Sequence, residues 1–137
     1  MFADFEYQTH TLAEQGEPLL PQTLCGIHQQ LNRDYYGPEL VVDDTLGYEW
    51  ARIPHFYRAF YVYQYATGIS AAIAIARRIT SGVLGAVEDY RKFLTTGGSL
   101  HPIDELRIAG VDMSRQESVQ STVDQFAATL EQLKELL

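Results

Sequence analysis

The side chains best suited to chemistry in this sequence are one histidine and the tyrosines that follow it closely. The histidine is His55, and the tyrosines are Tyr57, Tyr61, Tyr63 and Tyr65. An imidazole and one or more phenols aimed at one point are hydrogen-bond donors, which is what a developing oxyanion requires. The cluster therefore predicts a site that binds substrate and stabilises an oxyanion. The alternative is that the same aromatic rings pack in a core.

The helix expected to carry these residues begins at Pro54, because proline suits the first turn of a helix. On such a helix the aromatic residues after Pro54 would occupy every side, which predicts that the helix is buried with its phenols turned inward. Eight residues separate His55 from Tyr63, and a straight helix would place them about 12 Å apart along its axis. Both side chains reach one oxygen only if His55 lies in the preceding turn and the helix begins nearer Tyr57.

The other polar groups are not arranged for metal binding or nucleophilic catalysis. None of the four histidines stands in a His-Glu-x-x-His motif, and no two are four residues apart. Glu49 is expected to be solvated or to pair with Arg52 or Arg58, and Asp43–Asp44 are expected to cap a helix. The single cysteine, Cys25, lies on an apolar helix face and is expected to be inert.

Composition and charge exclude several classes of protein. The length of 137 residues predicts a single domain over 1–137, and the net charge of −8 with no basic patch argues against a nucleic-acid partner. The most apolar run, 69–76, is too short for a membrane span. One cysteine and the lack of a recognisable secretion signal predict a cytoplasmic location.

The pattern of apolar residues and helix breakers predicts an all-α chain, a compact bundle of six or seven helices. Predicted helices begin in the first turn and near residue 45, and others cover 21–36, 54–80, 86–95, 102–109 and 115–137. The first helix has no capping residue ahead of it, which indicates a chain that once continued upstream. The last helix is expected to bury one apolar line: Val119, Val123, Phe126, Leu130, Leu133 and Leu137.

One block of this sequence resembles a known family. The run 48–57 and its continuation at 60–68 are similar to the C-terminal region of oligoendopeptidase F, and Arg-Ile-Pro-His-Phe-Tyr at 52–57 is the most specific part. That family is a branch of the thimet-oligopeptidase-like zinc metallopeptidases. Weaker similarities follow in the same order at 30–38, 41–44, 97–99 and 109–113, so the resemblance covers nearly the whole chain.

The resemblance implies the C-terminal lobe of a larger helical peptidase with a deep channel that hydrolyses short peptides. In that family a His-Glu-x-x-His helix and a downstream glutamate hold zinc, and both would lie upstream of this region. A histidine and tyrosines face the zinc across the cleft, bind substrate and stabilise the tetrahedral intermediate. They match His55, Tyr61 and Tyr63, with Tyr57 as a further match. The chain alone is expected to bind no catalytic zinc and to cleave no peptide.

A second hypothesis treats the chain as a non-catalytic helical binding or scaffold module. An isolated lobe would leave apolar surface exposed at Phe2, Phe5 and the aromatic helix. Such a surface needs burial, which predicts a homodimer or another protein partner. The two hypotheses differ in what the apolar surface contacts: a peptide substrate within a complete enzyme, or a second protein chain.

Overall fold

The computed structural model describes all residues from Met1 to Leu137, and they form helices without any strand. The α-helices are α1 (Phe2–Glu14), α2 (Pro21–Tyr36), α3 (Tyr63–Thr80), α4 (Ala86–Leu94), α5 (Pro102–Ile108) and α6 (Gln116–Leu136). Two 3₁₀-helices, η1 (Leu46–Arg52) and η2 (Pro54–Tyr57), lie between α2 and α3. The predicted all-α class is confirmed. No helix is both long enough and apolar enough to cross a membrane.

Contacts between Cα atoms group the chain into two compact units, Met1–Gln64 and Tyr65–Leu137. The first unit contains α1, α2 and both 3₁₀-helices, and the second contains most of α3 with α4, α5 and α6. The expected single domain over 1–137 stays a prediction. Each unit has buried side chains of its own.

The first unit is built around His28, a fully buried side chain of α2. Its Nδ1 lies 2.9 Å from the carbonyl oxygen of Leu46, the first residue of η1. Because a carbonyl only accepts, this bond requires the proton on Nδ1. The rings of Phe2 and Phe5 in α1 pack on the imidazole, with centroids 6.2 and 5.6 Å away. One polar side chain therefore joins α1, α2 and η1.

Replacing His28 by alanine is expected to destabilise this unit by about 3 kcal/mol, because it leaves a cavity and an unpaired carbonyl. The measurement is urea unfolding of the chain followed by fluorescence of Trp50, the only tryptophan. Trp50 reports on the same region because its ring stacks on Phe5 at 6.3 Å.

The matched control is His101→Ala, the same change at an exposed position in the second unit. It is expected to alter the free energy of unfolding by less than about 0.5 kcal/mol. Equal effects of the two substitutions would contradict the role given to His28.

The second unit has a small apolar core. Its buried members are Ala71, Ile75, Ala109 and Val111. Gly110, between two of them, has a φ of +76°, and a Cβ built there would clash with the guanidinium group of Arg78. Glycine therefore serves both the left-handed turn after α5 and the close approach of that arginine.

Helix α6 differs from the expectation that its apolar line is buried. No residue of α6 is buried, and Phe126 is 69% exposed. The other residues expected to face inward are also exposed: Val119, Val123, Leu130, Leu133 and Leu137. That prediction was wrong for this chain, because an amphipathic pattern shows that a helix has an apolar face but does not supply the element that covers it.

Candidate functional site

The segment that carries the predicted site is not one helix. Ile53 is extended, as expected for a residue before proline, and η2 then covers only Pro54–Tyr57. Arg58 is extended again, and α3 begins at Tyr63. The predicted helix over 54–80 was therefore wrong in its first third. His55 does lie in a turn, as the alternative required, but the helix begins six residues later than Tyr57.

The break brings two of the predicted site residues together. The rings of His55 and Tyr61 stack with their centroids 5.8 Å apart and their planes within 9° of parallel. The guanidinium carbon of Arg58 lies 4.8 Å from the centre of the Tyr61 ring, a distance at which a cation attracts an aromatic face. Both stacked rings are half-buried. The loop between η2 and α3 therefore fixes the imidazole by its contact with a phenol ring.

The other predicted tyrosines are accessible. Tyr57 is 87% exposed at the end of η2, and Tyr63 is 48% exposed at the start of α3. Tyr65 is exposed as well. The expectation that the phenols of this segment point into a core was wrong, because it assumed a continuous helix. In this chain Tyr57 and Tyr63 are open to a ligand.

An unusual backbone conformation lies in the middle of the same loop. Phe60 has a φ of +56° and is the one residue other than glycine with a positive φ. The left-handed conformation costs a side-chain-bearing residue about 1–2 kcal/mol. Two contacts to α1 offset that cost: the Phe60 N–H donates to Oε1 of Glu6 at 2.8 Å, and the Phe60 ring lies 4.4 Å from the ring of His10.

Glu6 is a residue that the sequence analysis missed. Its side chain is only 3% exposed, and it lines a pocket of about 250 Å³ together with Trp50 and Phe56. The signal was present in the sequence: Glu6 shares one face of α1 with Phe2 and Thr9, at helical spacing. An acidic residue on the inward face of a helix needs a partner, and here that partner is a backbone N–H from a distant loop.

The polar residues near the site behave largely as expected. Glu49 forms an ion pair with Arg52. Asp43 accepts hydrogen bonds from the N–H of Leu46 at 2.9 Å and from the hydroxyl of Thr45 at 2.6 Å, so it holds the chain at the start of η1. The Thr45 hydroxyl and then the Leu46 N–H hold the pKa of Asp43 below its usual value. These carboxylates are structural.

The side chains of this chain do not fit a metal centre. No group of three His, Cys, Asp or Glu residues is arranged to hold a metal ion. His28 already donates to Leu46, and Cys25 is a free, partly buried thiol. What the site offers instead is a set of hydrogen-bond donors: the His55 imidazole and the accessible tyrosine hydroxyls. Such donors bind a carbonyl or stabilise a negative oxygen.

The sequence of this chain is similar to those of known peptidases. The family described as Peptidase family M3 matches residues 1–125. Oligopeptidase PepF of Bacillus subtilis is 47% identical over 137 residues, which is 100% of this chain and 20% of that protein. An oligoendopeptidase F homolog of Borreliella burgdorferi is 45% identical over 136 residues, which is 99% of this chain and 23% of that protein.

The fold of this chain is also similar to that of a solved peptidase structure. The chain superimposes on the crystal structure of oligoendopeptidase-F from Enterococcus faecium with a TM-score of 0.93 at 41% sequence identity. The match covers 98% of this chain and 26% of that one. The chain thus spans about a fifth to a quarter of the length of the relatives that it matches.

Proposed function

This chain belongs to peptidase family M3, and from that membership we propose that it forms the C-terminal part of a zinc metalloendopeptidase that hydrolyses short peptides. The resemblance to oligoendopeptidase F is confirmed by the family match and by relatives that carry the names oligopeptidase and oligoendopeptidase. A cytoplasmic location is part of the proposal, on the argument that a lone cysteine suits a reducing compartment. The proposed full-length enzyme is here called the complete peptidase.

Zinc enters the proposal through the family alone. The chain's own side chains offer no metal site, so the ion would be held by residues outside residues 1–137. When bound, zinc would polarise the scissile carbonyl and supply the attacking water. The part assigned to this chain is different: it binds the peptide and donates hydrogen bonds.

The observation that carries the proposal is the stack of His55 on Tyr61, together with the accessibility of Tyr63 two residues further along the chain. We assign His55 and Tyr63 as donors to the oxyanion of the tetrahedral intermediate, and Tyr61 as a further donor whose ring also orients the imidazole. Tyr57 is assigned to substrate binding, because its ring is the most exposed of the group. Donors held in place before the reaction stabilise developing charge without reorganisation.

The coding DNA immediately ahead of Met1 tests the first step of this proposal. We expect an in-frame extension that encodes His-Glu-x-x-His and a downstream glutamate, since those residues complete a zinc site that this chain lacks. Sequencing of the upstream region is the measurement. A stop codon and a ribosome-binding site directly ahead of Met1 would contradict the proposal.

The alternative function, a helical module that self-associates, is supported by one observation. The exposed apolar line of α6, with Phe126 at 69% exposure, is a surface of the kind that protein partners cover. In the complete peptidase the same line would be available to the remaining four-fifths of the polypeptide. The peptidase proposal is favoured because it also accounts for the stacked His55.

A further inference from the structure

We propose that Glu6 is a positioning residue for the site: its carboxylate holds Phe60 in the left-handed conformation, and so keeps Tyr61 stacked on His55. The inference rests on the proposed function for its catalytic consequence. Glu6 itself touches no reacting group. It acts from α1, 54 residues away in sequence, on the loop that carries the donors.

The hydrogen bond from Phe60 to Glu6 lies where it can control the direction of the loop. The Phe60 N–H is the group bound by Glu6, and Phe60 immediately precedes Tyr61. A change of φ at Phe60 from positive to negative would redirect the chain at that point and carry Tyr61 away from His55. The 2.8 Å contact to a carboxylate is of the stronger class of hydrogen bond, and the burial of its Glu6 side limits screening by salt.

Glu6 is also an acidic side chain buried without a counter-ion. Glu6 is 3% exposed, yet none of the chain's five ion pairs includes it. Burying a carboxylate without a counter-ion is unfavourable for folding. An apolar residue of similar size would serve the core better. The carboxylate is therefore explained by what it binds, the N–H of a strained loop residue, and not by a contribution to stability.

Two substitutions in the complete peptidase separate these roles. Glu6→Leu fills the same space without an acceptor and is expected to lower kcat about tenfold, with Tm unchanged or raised. A tenfold fall in kcat corresponds to about 1.4 kcal/mol, which lies within the range given above for the cost of the left-handed conformation. Glu6→Gln retains an acceptor oxygen, so kcat is expected to stay within about twofold of the wild-type value. A merely structural role would lower Tm and the yield of folded enzyme, while kcat per folded molecule stayed constant.

A double-mutant cycle with Phe60→Gly tests the route of the effect. Glycine adopts positive φ without the steric cost, so the loss of the Glu6 carboxylate should lower kcat less when residue 60 is glycine. We expect Glu6→Leu to lower kcat less than about threefold in that background. An equally large effect with phenylalanine and with glycine would overturn the proposal, as would an unchanged kcat for Glu6→Leu where His55→Ala is inactive.

A measurement that does not use activity separates this inference from the proposed function. In the 137-residue chain labelled at histidine, the stacked Tyr61 ring shifts the NMR signals of the His55 ring protons. We expect Glu6→Leu to abolish that shift and Glu6→Gln to retain it. A shift that survives Glu6→Leu overturns the inference. Full activity of His55→Ala would refute the proposed function, and this NMR comparison would still decide the role of Glu6.

Discussion

Replacing His55 by alanine in the complete peptidase is expected to lower kcat by about two to three powers of ten, the usual cost of losing one oxyanion donor. KM and Tm are expected to change little. The imidazole is half-buried, lies in η2 and stacks against Tyr61. Its removal therefore leaves no closed cavity, and the folded structure should persist. Steady-state kinetics on a short peptide and a thermal melt are the measurements.

The matched control is His101→Ala, which makes the same chemical change at an exposed residue ahead of α5. Its kcat and Tm should equal those of the unmodified enzyme. If the activity of His55→Ala fell in proportion to a loss of folded protein, His55 would be a packing residue. The assignment of the donor would then be wrong.

Removing the hydroxyl of Tyr63 is expected to lower kcat by about two powers of ten, since a phenol that donates to the intermediate is lost while its ring remains. Tyr63 is half-exposed at the first residue of α3, so Tyr63→Phe should fold normally. The kinetic signature of a group that acts in the transition state is an equal fall in kcat and in kcat/KM. A rise in KM alone would instead indicate substrate binding.

Two further tyrosine-to-phenylalanine variants serve as comparisons for Tyr63→Phe. Tyr61→Phe keeps the ring that stacks on His55 and removes only its hydroxyl, so it distinguishes donation by Tyr61 from orientation of the imidazole. Tyr7→Phe removes the hydroxyl of a tyrosine that is 67% exposed on α1, outside the proposed donors, and should leave kcat unchanged. Equal activity of Tyr63→Phe and Tyr7→Phe would remove Tyr63 from the proposed machinery.

Most helix boundaries could be predicted from the sequence, because local residues set them. Helix α2 covers 21–36 as predicted, with Pro21 at its start and Gly37 after its end. The observed bounds of α4, α5 and α6 lie within one residue of the predicted ones. For α2 and α5 a proline at the first position carries the information, and for α4 a glycine just before the helix does.

The geometry of the candidate site could not be predicted in the same way. The residues next to Phe60 in the sequence give no sign that Phe60 adopts a left-handed conformation. That conformation is held by the carboxylate of Glu6, 54 positions away. The prediction that α6 is buried failed for a related reason, because the element that packs on an amphipathic helix is not encoded in that helix's own sequence. Residue types pointed to the proposed donors, whereas a long-range contact decides how the loop that carries them is arranged.

The positive φ at Phe60 also determines which residues evolution can place there. Standard substitution tables treat isoleucine or valine as a mild replacement for phenylalanine and asparagine as a severe one. At this position the order should reverse, because β-branched residues rarely adopt the left-handed region and asparagine adopts it readily. Variation at residue 60 among relatives should therefore follow backbone geometry, and a homology score that weighs only hydrophobicity would misjudge it.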